Sequence, residues 1–437
     1  MTLQQIHTHI EKQPMRPWQW FVVTLGVLVN MLDGFDLLAS SLVAPILSRE
    51  WSLEPQTLGL LLSSGALGTA TGAFVLSPIA DLYGRRTAIL INLVLMSIGM
   101  LISATADSVM ILVAMRFLTG MGVGAMASCV GTLIFEYSSE KSRNLGLGLV
   151  TIGYTAGVIL GGFFAVGFLE MYSWRAIFVL GGLLTLLLIP LIYFKMPESL
   201  DFMIANPDAK TLPKLNMIMH RLGLPALDAL PAKPPKVVES RLWDLLRQPI
   251  LPRTLMMQLS YFLYMMSSYF FLNWNNQLTT EAGFSDAGGL SISIMTNFGG
   301  IAGGVIIGYI SSRMSFRVVA TSILVMMGLA IMAFGAAAAS FMFTVVTSVM
   351  IGFCIFGAAV VLYTTGAATF PARVRATGMG LSMGAGRLGS FFGPFVAGYL
   401  LGADLGRMMT CFLLAIPVIL SAAALARVPL ATLKDEV

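Results

Sequence analysis

The chain has 437 residues, of which 57% are hydrophobic and 11% charged, with a formal net charge of +5. Soluble domains average about 25% charged residues, so this composition excludes a water-soluble globular protein and marks a membrane protein. Nor does the basic excess call for a nucleic-acid partner, because a basic face meeting anionic lipid accounts for it.

Residues 1–17 are polar and lack a short apolar segment followed by a small-residue cleavage site, so no cleaved signal peptide is expected. From Trp18 onward, about twelve apolar runs recur, each long enough to cross a hydrocarbon layer about 30 Å thick. They fall at 18–47, 57–80, 87–106, 109–134, 145–169, 174–195, 251–280, 288–312, 316–337, 340–370, 377–402 and 406–427. Lipid leaves no partner for backbone polar groups, and continuous rather than alternating hydrophobicity selects helices over a barrel. The expected fold class is an all-α membrane protein of twelve transmembrane helices. Its two six-helix halves, 18–195 and 251–428, are joined by a linker at 196–250, with terminal segments at 1–17 and 429–437. Lys12, Arg16, Arg85, Arg86, Lys141, Arg143, Arg313, Arg317, Arg375 and Arg427 fall on one side of these spans, and Arg49, Arg175 and Arg407 on the other. That asymmetry places both termini in the cytoplasm.

Span one carries Asp33-Gly34-Phe35-Asp36 within apolar sequence. A carboxylate at bilayer depth costs roughly 2.5 to 3.5 kcal/mol on insertion scales, so two of them form a functional hypothesis by default. On a helix, Asn30, Asp33, Asp36 and Ser40 share one face, which must meet protein or water. Two carboxyls one turn apart repel as anions and titrate as a coupled pair, able to load and release a proton. Packing carboxyls bonded to a neighbouring span are the plainer alternative. Asp81 closes span two, where the helix dipole disfavours an anion, so it should face a cation such as Arg85. Arg116 in span four and Arg387 in span eleven are permanently charged, and their planar forks match a carboxylate, whether of a substrate or of an intramembrane Asp.

Farther along, Tyr154 and Tyr363 bring hydroxyls to membrane depth, and span seven combines rings and amides in Tyr261, Tyr264, Tyr269, Asn273, Trp274, Asn276 and Gln277. An aromatic acid needs ring-stacking surface with a few placed polar groups, which these positions supply, although most aromatics in membrane helices only fill space. The linker is rich in Pro and charge, irregular for most of its length, with a short interfacial helix near Leu242–Leu246. Cys129, Cys354 and Cys411 fall in spans without CxxC spacing and read as buried free thiols; neither metal nor cofactor is expected.

The halves echo one another. Arg143-Asn144-Leu145-Gly146-Leu147-Gly148-Leu149 and Arg375-Ala376-Thr377-Gly378-Met379-Gly380-Leu381 share R-x-x-G-x-G-L, and the same register pairs Gly157 with Gly389 and Gly161 with Gly393. Parallel repeats of this kind make the halves pseudo-symmetric, with a substrate site expected at the bilayer midplane on the interface between them.

Asp81-Leu82-Tyr83-Gly84-Arg85-Arg86 after span two resembles the D-x-x-G-R-R core of the major facilitator superfamily. Arg116-Phe117-Leu118-Thr119-Gly120-Met121-Gly122-Val123-Gly124 is similar to that superfamily's R-x-x-x-G-x-G-x-G, and Pro197-Glu198-Ser199 after span six is a weaker match. The D-G-[FY]-D of span one, with Gly386-Arg387-Leu388-Gly389 and Gly393-Pro394 in span eleven, resembles the aromatic acid:proton symporter family over essentially the whole chain. The resemblance implies a major facilitator fold and proton-coupled uptake of a benzoate-like or hydroxybenzoate-like acid through a bacterial inner membrane. On that reading Asp33 and Asp36 couple the proton, which is the coupling ion. Arg387, Arg116, Tyr154, Asn273, Trp274, Asn276 and Tyr363 are the candidate substrate contacts. Asp81, with Arg85 and Arg86, resembles a gate latch, and Glu136 and Arg143 are read as similar contacts between spans four and five. Arg116 is the residue that the resemblance assigns to ordering spans one and four. The protein is expected to act as a monomer in lipid.

Two departures stand out. The equivalent loop Gly308–Arg317 has no acidic residue, and Val158 replaces the proline of the G-P-x-x-G-G that drug:proton antiporters resemble, which disfavours efflux. A symporter of a diacid, suited to two intramembrane arginines, is the nearest alternative, followed by a non-transporting sensor. An intramembrane aspartyl protease fits poorly, because its two aspartates lie on separate helices.

Overall fold

The computed structural model describes residues 3–231, 245, 248, 250–311, 313–337, 340–371 and 374–428. The helices, in chain order, are α1 Leu3–Lys12, α2 Pro17–Glu50, α3 Pro55–Val75, α4 Ser77–Tyr83, α5 Arg85–Ala104, α6 Val109–Tyr137, α7 Glu140–Met171, α8 Arg175–Lys195, α9 Leu200–Ala205 and α10 Thr211–Leu222. After the linker come α11 Leu251–Glu281, α12 Asp286–Ser311, α13 Phe316–Ala336, α14 Phe341–Thr369, α15 Arg375–Gly402 and α16 Gly406–Ala426.

Twelve of these helices are 20 residues or longer and coincide with the expected spans. Among the described residues, ten spans are both long and apolar enough to cross a membrane. Spanning length is also reached by α11 and α15, whose Asn, Gln, Ser, Gly and Arg residues dilute their hydrophobicity. They pack on each other: a Cβ on Gly389 would strike the Phe262 carbonyl, and one on Gly393 that of Met266. Span two ends differently from expectation. The sequence suggests one run over 57–80, but the helix breaks at Leu76 and restarts as α4, because Pro78 brings no N–H and suits a first helical turn.

The chain forms two compact units. One comprises Met1–Asp36, Gly68–Gly161 and Phe168–Val237; the other comprises Leu37–Leu67, Gly162–Gly167 and Val238–Val437. Helix α2 therefore contributes to both, changing over directly after Asp36.

In the first unit, α7 lies so close to α2 that a Cβ on Gly157 would strike the Met31 carbonyl. Gly157 and Gly389 are the pair that the internal repeat matches, and they make the same kind of contact, span five on span one and span eleven on span seven. Gly72 on Met121 and Gly303 on Phe353 repeat the relation for spans two and four and spans eight and ten. Small residues permit such approach where lipid offers no hydrophobic drive for helix association.

The N-terminal segment and linker are built more tightly than their composition suggests. Ile6 and Ile10 of α1 are buried in one apolar cluster with Leu200, Met203, Ile204, Leu215, Ile218, Met219 and Leu222 of α9 and α10. Leu215, Ile218, Met219 and Leu222 follow the helical i, i+3, i+4, i+7 spacing, and Gly223 closes α10 in the left-handed conformation at φ +70. The interfacial helix expected near Leu242–Leu246 lies outside the described residues except for Leu245, which is buried and whose carbonyl accepts a hydrogen bond from Thr254 Oγ1 at 3.0 Å.

Candidate functional site

Each residue of Asp33-Gly34-Phe35-Asp36 meets a different constraint. Gly34 faces the Tyr154 carbonyl of α7, where any Cβ would overlap backbone. The Phe35 ring fills a slot opened by Gly161 of α7 and Gly181 of α8, each of which would collide with that ring if it carried a Cβ. Asp33 and Asp36 are 5% and 8% exposed. One turn earlier, Asn30 Nδ2 donates to the Val150 carbonyl of α7 at 2.9 Å. The polar face read from the sequence is thus turned into protein, with α7 and α8 holding the glycine and the ring between the two carboxyls.

Arg116 of α6, 2% exposed, meets Asp36 in an ion pair from Nη1 to Oδ1 at 2.6 Å. Nη2 lies 3.5 Å from Ser103 Oγ of α5, and the guanidinium lies over the Phe178 ring of α8 with Cζ 4.8 Å from its centroid. A buried cation and anion must be paired to offset their desolvation, and breaking such a pair is far costlier than forgoing it. Arg116 thereby ties α6 to α2, the role that the family resemblance suggests for it.

The other substrate candidates are placed as follows. Tyr154 is half-buried, and so is Arg387 of α15. Trp274 is fully buried and donates from Nε1 to the Pro394 carbonyl of α15 at 3.0 Å. Asn273 is buried and donates to the Tyr269 carbonyl one turn back at 2.9 Å. Asn276 donates from Nδ2 to Ser41 Oγ at 3.1 Å and accepts at Oδ1 from Ser293 Oγ of α12 at 2.9 Å. Tyr363 of α14 is exposed. Asn275, which sequence reasoning passes over, donates to Ser293 Oγ at 3.1 Å, so that four side chains from α2, α11 and α12 form one buried polar network. Beyond it, Arg49 holds Asp286 through two parallel contacts at 3.1 and 2.5 Å.

In the first unit, between spans two and three, Asp81 meets Arg85 at 3.3 Å, one turn along the chain. Gly84, with φ +96, lies against the Glu198 carboxylate, which would overlap any Cβ there. Glu198 accepts from the backbone N–H of Arg86 at 3.1 Å and of Ser199 at 2.8 Å. An anion is thus seated on the first turn of α5, where the helix dipole favours it. The D-x-x-G-R-R and P-E-S motifs form one construction. The Arg86 guanidinium reaches the Tyr193 carbonyl and lies 5.3 Å over its ring. Glu136 is buried and caps α9, accepting from Ser199 Oγ at 2.8 Å and from the Leu200 N–H at 2.9 Å. Arg143 pairs with Glu11 of α1 at 3.0 Å and lies 3.9 Å over the Phe135 ring. The residues read as gating contacts are therefore engaged inside the first unit. Sequence reasoning misses Glu198 and Glu11 as partners; the match of Pro197-Glu198-Ser199 is the available signal for the first.

A sequence profile of the Major Facilitator Superfamily matches residues 26–394. Among characterised proteins, a gallate transporter of Pseudomonas putida is 29% identical over 95% of this chain and 93% of its own. A 4-hydroxybenzoate transporter, PcaK, of the same organism is 30% identical over 91% of this chain and 89% of its own. The xylose transporter XylE of E. coli superposes with a TM-score of 0.73 at 15% identity, covering 95% of this chain and 98% of that one, a likeness of fold alone.

Proposed function

The chain belongs to the Major Facilitator Superfamily, and from that premise we propose that it imports a small aromatic carboxylate by proton symport, through alternating access. It is a multi-pass membrane transporter and not an enzyme. The gallate and 4-hydroxybenzoate transporters among its relatives support an aromatic acid as the substrate.

The observation that carries the proton part is the buried Asp36–Arg116 pair with Asp33 one turn away on the same spanning helix. Buried ionisable groups in a membrane helix are retained chiefly where they move ions or protons or bind substrate. Asp33 and Asp36 take the proton, and Arg116 balances Asp36 while that carboxyl is ionised. Arg387, in the Gly-rich stretch of span eleven, is assigned to the substrate carboxylate, with Tyr154, Asn273 and Tyr363 as supporting contacts, while Trp274 and Asn276, whose polar atoms bond neighbouring helices, hold span seven in place. Asp81, Arg85, Arg86, Glu136 and Arg143 act at the cytoplasmic gate. One proton carried with one monoanion is electroneutral, so the pH gradient alone drives that stoichiometry; a second proton adds the membrane voltage. The distribution of Lys and Arg supports cytoplasmic termini. A bacterial inner membrane as the location and a monomer as the working unit complete the reading.

The test is uptake of radiolabelled 4-hydroxybenzoate into proteoliposomes with an imposed pH gradient, with benzoate, gallate and an aliphatic diacid as competitors. Accumulation that requires the gradient and is blocked by the aromatic acids supports the reading. Blockade by the diacid alone overturns the substrate class, and accumulation indifferent to the gradient overturns the coupling.

A further inference from the structure

We propose that Phe178 is the positioning residue for Arg116: its ring is the seat on which the guanidinium stays in register while the carboxylate opposite gains and loses its proton. The inference rests on the proton-symport reading and adds to it a residue that no motif marks.

Arg116 is a permanent cation with five N–H donors, held almost entirely out of water. Its described hydrogen-bonding contacts are few. Nη1 takes one carboxylate oxygen of Asp36, Nη2 has only the Ser103 hydroxyl at the outer limit of bonding distance, and Nε has no hydrogen-bond partner among the described residues. Thr119 Oγ1, on its own helix, bonds the Arg116 carbonyl and not the guanidinium. A bidentate fork would fix the plane of the guanidinium, but a single oxygen leaves it free to turn about that contact.

What remains to fix the plane is the Phe178 ring. The ring is buried and packs against Trp174 in an edge-type contact at 5.9 Å and 86°. A ring face attracts a cation through its quadrupole, most strongly where water is excluded, and it uses up none of the cation's N–H donors. The attraction persists whether the carboxyl opposite is charged or neutral. Phe178 thus holds Arg116 through the moment at which Asp36 ceases to be an anion, without spending any of its N–H donors. Gly181, one turn on, clears the slot for Phe35, so that α8 supports the motif of α2 at two successive turns.

The test uses the full chain in proteoliposomes with radiolabelled 4-hydroxybenzoate, comparing accumulation driven by a pH gradient with counterflow exchange at equal pH. Phe178→Leu keeps an apolar side chain and removes the ring, and phenylalanines carrying one, two and three ring fluorines at position 178 keep the shape and weaken the quadrupole stepwise. Gradient-driven accumulation is expected to fall about tenfold in Phe178→Leu, the loss equivalent to one desolvated cation–π contact. This loss should exceed the loss of counterflow, and accumulation should decline in order of fluorine number. A flat fluorine series, or equal losses in both assays, overturns the proposal. A thermal double-mutant cycle between Phe178→Leu and Arg116→Gln reads the contact without transport: non-additive shifts support it and additive shifts overturn it. Failure of the wild-type protein to take up 4-hydroxybenzoate would defeat the transport reading while leaving that cycle decisive.

Discussion

The backbone carbonyl of Tyr154 occupies the place that a side chain on Gly34 would need. The glycine of the D-G-F-D motif is therefore a spacer between α2 and α7, and the distance it sets places the two flanking carboxyls. Gly34→Ala gains about 1 kcal/mol of helix propensity but must push backbone against backbone, which typically costs about 1 to 3 kcal/mol and falls at the upper end when no side chain can yield. A net loss of about 2 kcal/mol is expected, read as a lower thermal midpoint in detergent. A midpoint equal to wild type would contradict the packing described for α2 and α7.

Arg116 and Asp36 should be separable by which partner is removed. Arg116→Gln strands a buried carboxylate and Asp36→Asn a buried cation; either loss costs about 3 to 5 kcal/mol, whereas the double variant leaves no net charge and recovers much of the stability. Thermal midpoints of the three variants check this. A double variant no more stable than its singles would mean that the two residues do not balance one another. Gradient-driven uptake should be lost in all three.

Asn276 has both ends of its amide engaged, by Ser41 and Ser293. Asn276→Leu therefore removes acceptor and donor together from a buried network, at about 1 to 3 kcal/mol. The expected signature is a drop in thermal midpoint out of proportion to any change in KM for 4-hydroxybenzoate. An unaltered midpoint with a raised KM would assign Asn276 to direct substrate contact.

His7 of α1 lies 3.1 Å from Asp201 of α9, and that carboxylate raises the imidazole above its ordinary value of 6.5, against the opposing effect of burial, with Glu136 and Glu11 adding to the rise. A raised folded-state value means that the contribution to docking is complete below the unfolded value. It is lost as pH climbs through the folded one, so the window opens near 6.5 and extends upward. Hydrogen exchange across residues 3–12 should quicken over that window more than intrinsic chemistry requires, and His7→Ala should abolish the extra slope. Protection of α1 that is level across this range would refute the assignment.

The spans are legible in the sequence because an apolar run of about twenty residues matches the thickness of a bilayer and little else. Pro, Ser and charge mark their ends to within a few residues. Asp33, Asp36 and Arg116 stand out because ionisable residues at bilayer depth are rare. What composition hides is pairing at long range. Nothing local to Phe178 distinguishes it from any other ring in an apolar run, since its importance comes from a guanidinium 62 positions earlier in the chain. The linker misleads in the opposite sense: its Pro and charge mask the spacing of Leu215, Ile218, Met219 and Leu222, which is what packs α10. Span seven offers candidate binding groups in the sequence, and of these Trp274 and Asn276 spend their polar atoms on neighbouring helices.

Cys129, Cys354 and Cys411 are all buried, at 2%, 0% and 0% exposure. A maleimide reagent offered to the intact protein therefore meets no accessible native thiol, and single cysteines placed at exposed positions such as Asp107 or Met217 become the sole attachment points for spin labels or fluorophores. Spectroscopy of the working carrier can begin from the wild-type background, sparing three substitutions at buried positions.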